Sequence, residues 1–380
     1  MSLNVETLGQ VFTPIRIVSD MLQLRQNQGN VLEPSCGNGA FYNNIENCIG
    51  IEYDATVAPQ GALIMDFFDY SIDNKFDTII GNPPYVRFQD IGAETKSKLD
   101  MTLFDERSNL YLFFIEKCIK HLNPCGELIF IVPRDFLKAT SSTKLNKYIY
   151  EQGTITDIID LGDEKVFKDA TPNCVIFRFE KDNFKRKTNL TKNFSVVNGQ
   201  IFFTSNKYDI KFSDLFYVKV GAVSGADKYF INEKGNKSFV CSETCKTGKT
   251  RKMFYNKKAK ALEPYKSELL NRRIRKFTED DWYTWGRKYY ESNDERLYVN
   301  GKTRNSNPFF YHKCKAYDGS VLAIFPKFKT TPEQLKKIAE ELNKVDWEEL
   351  GFVCDGRFIF SQNALENCIL PSSFSKYLPD

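Results

Sequence analysis

Residues 76–85 read FDTIIGNPPY. Phe76, Thr78, Ile79 and Ile80 have the composition of a short buried strand, and the two prolines beyond Asn82 stop it abruptly. Pro83 and Pro84 each fix φ near −65° and carry no N–H for a sheet ladder. Asn82 is restricted in turn by the proline after it. The result is a strand ending in a stiff loop that presents an amide side chain, backbone carbonyls and, at Tyr85, an aromatic face. Such a set can accept hydrogen bonds from a planar amino group and stack on the ring that carries it. The same letters could form a plain turn. Their position directly after an apolar strand gives them weight.

Outward from this stretch, strand-sized apolar runs recur at residues 30–33 (NVLE), 48–52 (CIGIE), 127–132 (ELIFIV), 156–161 and 173–179. Between them, residues 109–122 place Leu110, Phe113, Phe114, Cys118, Ile119 and Leu122 at helical spacing, and Asn123-Pro124-Cys125-Gly126 punctuates before the next strand. Strands alternating with helix-sized segments imply an α/β domain, with a mainly parallel sheet and helices on both faces. Ligands of such sheets bind beyond the C-terminal ends of the strands.

Three further strand ends are unusual. In residues 33–41 (EPSCGNGAF), Gly37 and Gly39 permit a tight turn and a close backbone approach, and Pro34, Ser35 and Cys36 lead into it. The full G-x-G-x-x-G fingerprint is absent. Glu33 would repel a pyrophosphate and suits a ligand with a cationic group. Glu52 closes the next strand, where a carboxylate can accept from both ribose hydroxyls. Asp66 could accept from an adenine amino group and Phe67 could stack on its ring. Taken singly, each also fits a surface acid or a core aromatic.

Composition agrees with a soluble protein, and length with two domains or three. The chain has 380 residues, 42% hydrophobic and 27% charged, with no apolar stretch long enough for a membrane span. The first ten residues lack the basic and apolar regions of a signal peptide, so a cytoplasmic, bacterial location is expected. Ten scattered cysteines without C-x-x-C and two histidines point to reduced, structural thiols and no metal site. The charge is uneven. Residues 1–180 carry 16 Lys+Arg against 25 Asp+Glu, and residues 181–380 carry 37 against 24. Within residues 246–276 there are twelve basic side chains and two acidic ones, among aromatics such as Phe254, Tyr255, Trp282 and Trp285 nearby. A basic, aromatic-rich half suits phosphate backbones, with a solvated lysine-rich surface as the alternative. The polar stretch 181–191 (KDNFKRKTNLT) reads as the start of the connection, and the domains are expected at 1–205 and 206–380.

In this order the motifs resemble those of the S-adenosylmethionine-dependent N6-adenine DNA methyltransferases, in the gamma arrangement of Type II restriction–modification systems. Gly9-Gln10-Val11-Phe12-Thr13-Pro14 looks like the family's N-terminal cofactor segment. Residues 33–41, Glu52, and Asp66 with Phe67 look like its loop, its ribose acid and its adenine-binding pair; Asn82, Pro83, Pro84 and Tyr85 match its catalytic motif. Residues 127–137 look like a later core strand. Residues 166–179, with Thr171-Pro172-Asn173, resemble the segment whose phenylalanine stacks on the target base, which would be Phe167. Residues 220–228 (VGAVSGADK) resemble the opening of a recognition domain.

The resemblance implies a Rossmann-like methyltransferase domain followed by an α+β DNA-recognition domain. It implies S-adenosylmethionine as cofactor and a flipped-out adenine in a specific double-stranded DNA sequence as target. Asn82 and the Pro83 carbonyl would hold the amino group, with Tyr85 and Phe167 stacking on the base. Lys246, Lys249, Arg251, Lys252, Arg272, Arg273 and Arg275 are candidates for DNA contacts. Only eight residues precede Gly9 and no convincing P-D…(D/E)-x-K constellation occurs, so any cognate restriction endonuclease is expected to act separately, and a monomer would suffice. Competing readings are an N-methyltransferase for RNA or a protein glutamine, cytosine N4 chemistry, and a non-catalytic DNA-binding module.

Overall fold

The computed structural model describes residues 12–162, 164, 166–167, 173–205 and 208–378. The chain divides into two compact units, residues 1–205 and 206–380. Among the described residues no helix is long and apolar enough to cross a membrane.

The first unit is built on a seven-stranded sheet: β1 Val31–Glu33, β2 Cys48–Glu52, β3 Leu63–Ile64, β4 Phe76–Gly81, β5 Leu122–Pro133, β6 Gly153–Asp160 and β7 Cys174–Lys181. Its spatial order is β3-β2-β1-β4-β5-β7-β6. The first five pair in parallel, and β7 runs antiparallel between β5 and β6. The sheet is therefore mainly parallel and Rossmann-like, as expected from the alternation of strand and helix.

Strand alternation sorts the side chains onto two faces. Leu32, Ile79, Leu128, Phe130 and Val132 pack on one side with Leu112, Phe113, Ile115 and Ile119 of the helix Leu110–His121. Val31, Ile80, Ile129 and Ile131 pack on the other with Ile17, Val18 and Met21 of the helix Ile15–Gln23. From β1 the chain steps outward through β2 and β3, then returns to β4 on β1's opposite side. That reversal opens a crevice at the C-terminal ends of β1 and β4, where Glu33 and Asn82 stand.

Two local expectations need correction. Asn123-Pro124-Cys125-Gly126 does not end an element; it bulges within β5, between the pairings Phe76–Leu122 and Thr78–Glu127, with Cys125 at φ 61°. Residues 181–191 do not open the connection either. They fold back on the first unit: the Arg186 guanidinium lies 3.8 Å over the Tyr150 ring, and the Asn189 side-chain amide donates to Asp157 at 3.0 Å. A hairpin of β8 Asn193–Val197 and β9 Gln200–Thr204 comes next within the same unit.

The second unit centres on an antiparallel sheet of Phe216–Val220, Val321–Pro326, Leu297–Asn300 and Phe309–Tyr311, in that order. Its longest described helix is Pro332–Asn343. Asn343 at that helix's end exchanges hydrogen bonds with both backbone groups of Phe309, at 2.8 and 2.9 Å. The core of this unit is aromatic, with Trp282, Trp285, Tyr298 and Tyr317 buried together.

Candidate active site

The sequence after β1 turns sharply because Gly37 and Gly39 take positive φ, 51° and 83°. A Cβ on Gly39 would lie 2.6 Å from the Asn43 amide, so only glycine fits that turn. The turn brings the Gly37 N–H to Glu52 Oε2 at 2.8 Å, while Glu52 Oε1 accepts from the Asp54 N–H at 2.9 Å. Each oxygen keeps a second lone pair for a hydroxyl.

Glu52, Asp66, Ser35, Pro34, Gly37, Asn82 and Pro84 all line one cavity of about 260 Å³. Its walls are otherwise mostly apolar, from Phe12, Met65, Phe67, Phe68, Val86, Ile91, Leu110 and Phe114; among the described residues no lysine or arginine lines it, though Lys98 Nζ lies 3.4 Å from Asp66 Oδ2. A pocket whose described lining holds carboxylates and no cationic side chain is a poor host for a pyrophosphate and a good one for a neutral nucleoside carrying a positive group. S-adenosylmethionine has that chemistry, with an adenosine, a sulfonium and an ammonium, and the residues present fit it. Among the described residues no cluster of His, Cys, Asp or Glu is placed to hold a metal.

Glu33 sits beside this cavity, 2% exposed, and accepts from the Tyr42 N–H at 2.7 Å. Burial pushes its carboxyl well above the usual carboxylate range, against the pull of backbone hydrogen bonds from Tyr42 and Phe41, and the charge of Glu52 pushes the same way as burial. A raised pKa means that the folded protein keeps a proton the unfolded chain releases. Stability from this group is therefore complete below the ordinary carboxylate pKa and is lost as pH rises above it. Glu33→Gln keeps an acceptor for Tyr42 and removes the titration. Its Tm is expected to exceed that of the parent protein at pH 8 and to match it at pH 4, as read by thermal unfolding; equal values at pH 8 would contradict this.

Of the expected site residues, Thr13, Pro14, Cys36 and Pro83 do not line the cavity, while Asp66 and Phe67 line it but are engaged in other contacts as well. Of the N-terminal segment, Phe12 lines the cavity and Thr13 and Pro14 do not. Cys36 is 3% exposed and serves the turn, its N–H donating to the Ile51 carbonyl at 2.8 Å. Phe67 is 3% exposed and its ring stacks on Phe114 at 5.0 Å, so its face is already taken. Pro83 is buried. Asp66 caps the turn at Phe67–Asp69 by accepting from the Phe68 N–H at 2.9 Å, and its second oxygen accepts from the Thr95 hydroxyl at 2.7 Å.

Tyr85 and Phe167 come together, as a shared target would require, but they face each other. Their rings meet edge to face at 6.1 Å, Phe167 is 2% exposed, and the Tyr85 hydroxyl donates to the Ile131 carbonyl at 3.0 Å. Phe167 presents no open face, while Tyr85 is half-buried. Gly9, Gln10, Val11, Thr171 and Pro172 lie outside the described residues.

Among the basic candidates, Arg272 is corrected. It is 7% exposed and its guanidinium donates to the carbonyls of Leu269, Ser224, Thr284 and Trp282 at 2.5–2.9 Å, which makes it a brace inside the second unit. Arg275 is tied to Asp281 and Thr284 at 2.7 Å each, and Arg251 lies 3.6 Å from both Glu243 and the buried Asp318. Lys246, Lys249, Lys252 and Arg273 are exposed. The aromatics Phe254, Tyr255, Trp282 and Trp285 are core, at 8% exposure or less. Their lysine neighbours alternate with a buried face, which in sequence looks like interleaving.

Sequence reasoning missed Tyr53, Met65, Phe68, Ile91 and Thr95 in the cavity wall. Only Tyr53 and Phe68 carried a signal, as neighbours of Glu52 and Phe67. Ile91 and Thr95 reach the cavity through the fold of residues 86–98, which no local pattern announces.

Comparison with known proteins agrees with this geometry. Residues 33–167 match the family described as Eco57I restriction-modification methylase. The chain is 34% identical over 188 residues to the Type II methyltransferase M.HincII of Haemophilus influenzae, covering 46% of this chain and 38% of that protein. It is 29% identical over 243 residues to the Type II methyltransferase M.BanIII of Aneurinibacillus aneurinilyticus, covering 53% and 41%. The chain thus spans about two-fifths of the length of these curated relatives. In fold it is similar to the Type IIL restriction-modification enzyme MmeI, solved in complex with DNA, with a TM-score of 0.57 at 10% identity over 93% of this chain and 64% of that one.

Proposed function

We propose that this chain, whose first unit is similar in sequence to Type II methyltransferases and takes S-adenosylmethionine as cofactor, methylates N6 of adenine in a specific double-stranded DNA sequence. It would act as the modification enzyme of a restriction–modification system. One observation carries the reading. Asn82 and Pro84, at the end of β4, line the same cavity as Glu52 and Asp66, so an amino-group acceptor stands beside a nucleoside pocket.

When bound, S-adenosylmethionine supplies a methyl group made electrophilic by its sulfonium. An adenine amino group is a poor nucleophile because its lone pair is delocalised into the ring. The Asn82 side-chain oxygen and the Pro83 carbonyl would each accept one N6 hydrogen. Those bonds favour a tetrahedral nitrogen and stabilise the positive charge that develops on it. The proline-braced loop would hold the nitrogen toward the cofactor's methyl group, which supplies much of the remaining rate, and the surplus proton on N6 would pass to solvent after transfer.

An adenine inside a duplex cannot reach this loop, so the base must be extruded. Tyr85 and Phe167 would part from each other to stack on it, each stack contributing about 1–3 kcal/mol. Lys246, Lys249, Lys252 and Arg273, all exposed, supply positive charge for phosphates.

The test is methyl transfer from tritiated cofactor to duplex DNA, total RNA and release-factor protein in parallel. Label in DNA alone is expected. Label in RNA or protein alone, or in none of the three, would overturn the reading.

A further inference from the structure

We infer, resting on the adenine-methylation reading, that Thr13 is a positioning residue that sets which end of the Asn82 amide faces the target. A primary amide has an accepting end and a donating end. Only the oxygen can take a hydrogen from an amino group; turned over, the side chain would point N–H groups at the N–H groups of its target. Something must therefore hold the nitrogen. In the structure the Asn82 Nδ2 donates to Thr13 Oγ1 at 3.2 Å, across 69 residues of chain. The oxygen, at the opposite corner of the amide, then points away from Thr13.

Thr13 is well placed to act as a fixed anchor. Pro14, at φ −62°, is the N-cap of the helix Ile15–Gln23, whose Ile17, Val18 and Met21 are buried against the sheet. The helix thus pins Thr13 from one side. On the other side, the Ser35 hydroxyl donates to the Asn82 backbone carbonyl at 3.2 Å, so backbone and side chain of Asn82 are each held. Because Thr13 is not part of the cavity wall, it acts on the chemistry through Asn82, and a change there should be felt in turnover more than in cofactor binding.

Thr13→Val preserves the shape of the side chain and removes the acceptor; Thr13→Ser keeps the acceptor. The full chain is assayed with tritiated cofactor and plasmid DNA, both saturating, and cofactor affinity is measured separately by titration calorimetry. Thr13→Val is expected to lower kcat about 10- to 100-fold, with KM and Kd for the cofactor within about threefold of the parent. Thr13→Ser is expected to keep most of the parent kcat. A parental kcat in Thr13→Val, a loss of cofactor affinity that accounts for the whole drop, or a Thr13→Ser variant as slow as Thr13→Val would each overturn the assignment. Should Thr13→Val not fold, Thr13→Ala takes its place under the same criteria. If the parent protein itself labels no DNA, the methylation reading fails first; if the parent is active and Thr13→Val matches it, the positioning role alone fails.

Discussion

Asn82→Ala is expected to slow methyl transfer about 100- to 1,000-fold while the protein keeps its fold and its cofactor. The size comes from removing one preorganised hydrogen-bond partner of a charge that exists only in the transition state. The selectivity comes from geometry. Asn82 lines the cavity, but the acids proposed to meet the nucleoside are Glu52 and Asp66. Glu52 is held by the N–H groups of Gly37 and Asp54, and Asp66 by Phe68 and Thr95. The Asn82 side chain is half-buried and bonds Thr13 at 3.2 Å, so truncation costs the fold little. Tritium transfer to DNA and calorimetric titration with the cofactor, run on the same preparation, give both halves. A variant with parental transfer would remove Asn82 from the chemistry.

The largest expected effect on stability lies at the far end of the sheet. Glu127 is 0% exposed at the start of the buried part of β5. It accepts from the Thr78 hydroxyl at 2.8 Å, the backbone N–H groups of Gln26 and Asn27 at 2.9–3.1 Å, and Arg178 Nε at 2.6 Å. Arg178, 2% exposed, continues to Thr156 at 2.8 Å and Glu180 at 2.5 Å. One carboxylate thus joins β4, β5 and β7 to the segment before β1. Glu127→Ala removes the one fully buried carboxylate from Arg178, which keeps only the part-buried Glu180 and Asp157, and orphans a hydroxyl and two N–H groups. Breaking a buried pair in this way costs about 3–5 kcal/mol, which for a unit of this size lowers Tm by roughly 10 °C. Arg178→Ala should cost no more, because Glu127 would keep three donors. Urea denaturation of both variants checks the order. A loss below about 1 kcal/mol for Glu127→Ala would show that water or rearrangement satisfies the site.

The proline-braced loop after β4 and the acids at the strand ends were legible in the sequence because their constraints are local. Two prolines after a buried strand define a stiff loop wherever they occur, and Glu33, Glu52 and Asp66 each close an apolar run. The sheet was legible for a similar reason, since the alternation of Leu128, Phe130 and Val132 with Ile129 and Ile131 needs a buried strand with two covered faces. The features that escaped depend on distant chain. Nothing local reveals that β7 slips antiparallel between β5 and β6, or that Tyr85 turns its hydroxyl to Ile131. In the second unit the strands are two to six residues long, too short for periodicity to show. There the basic, aromatic-rich stretch misled. Charge on Arg272 looked like a DNA contact, yet four backbone carbonyls hold it inside.

The most direct test of the central claim is the chemical identity of the methylated base. DNA modified by the parent protein, digested to nucleosides and resolved by mass spectrometry, should contain N6-methyldeoxyadenosine, and about 100- to 1,000-fold less of it after an equal, limited reaction time with Asn82→Ala. N4-methyldeoxycytidine in its place, or no methylated nucleoside at all, would contradict it.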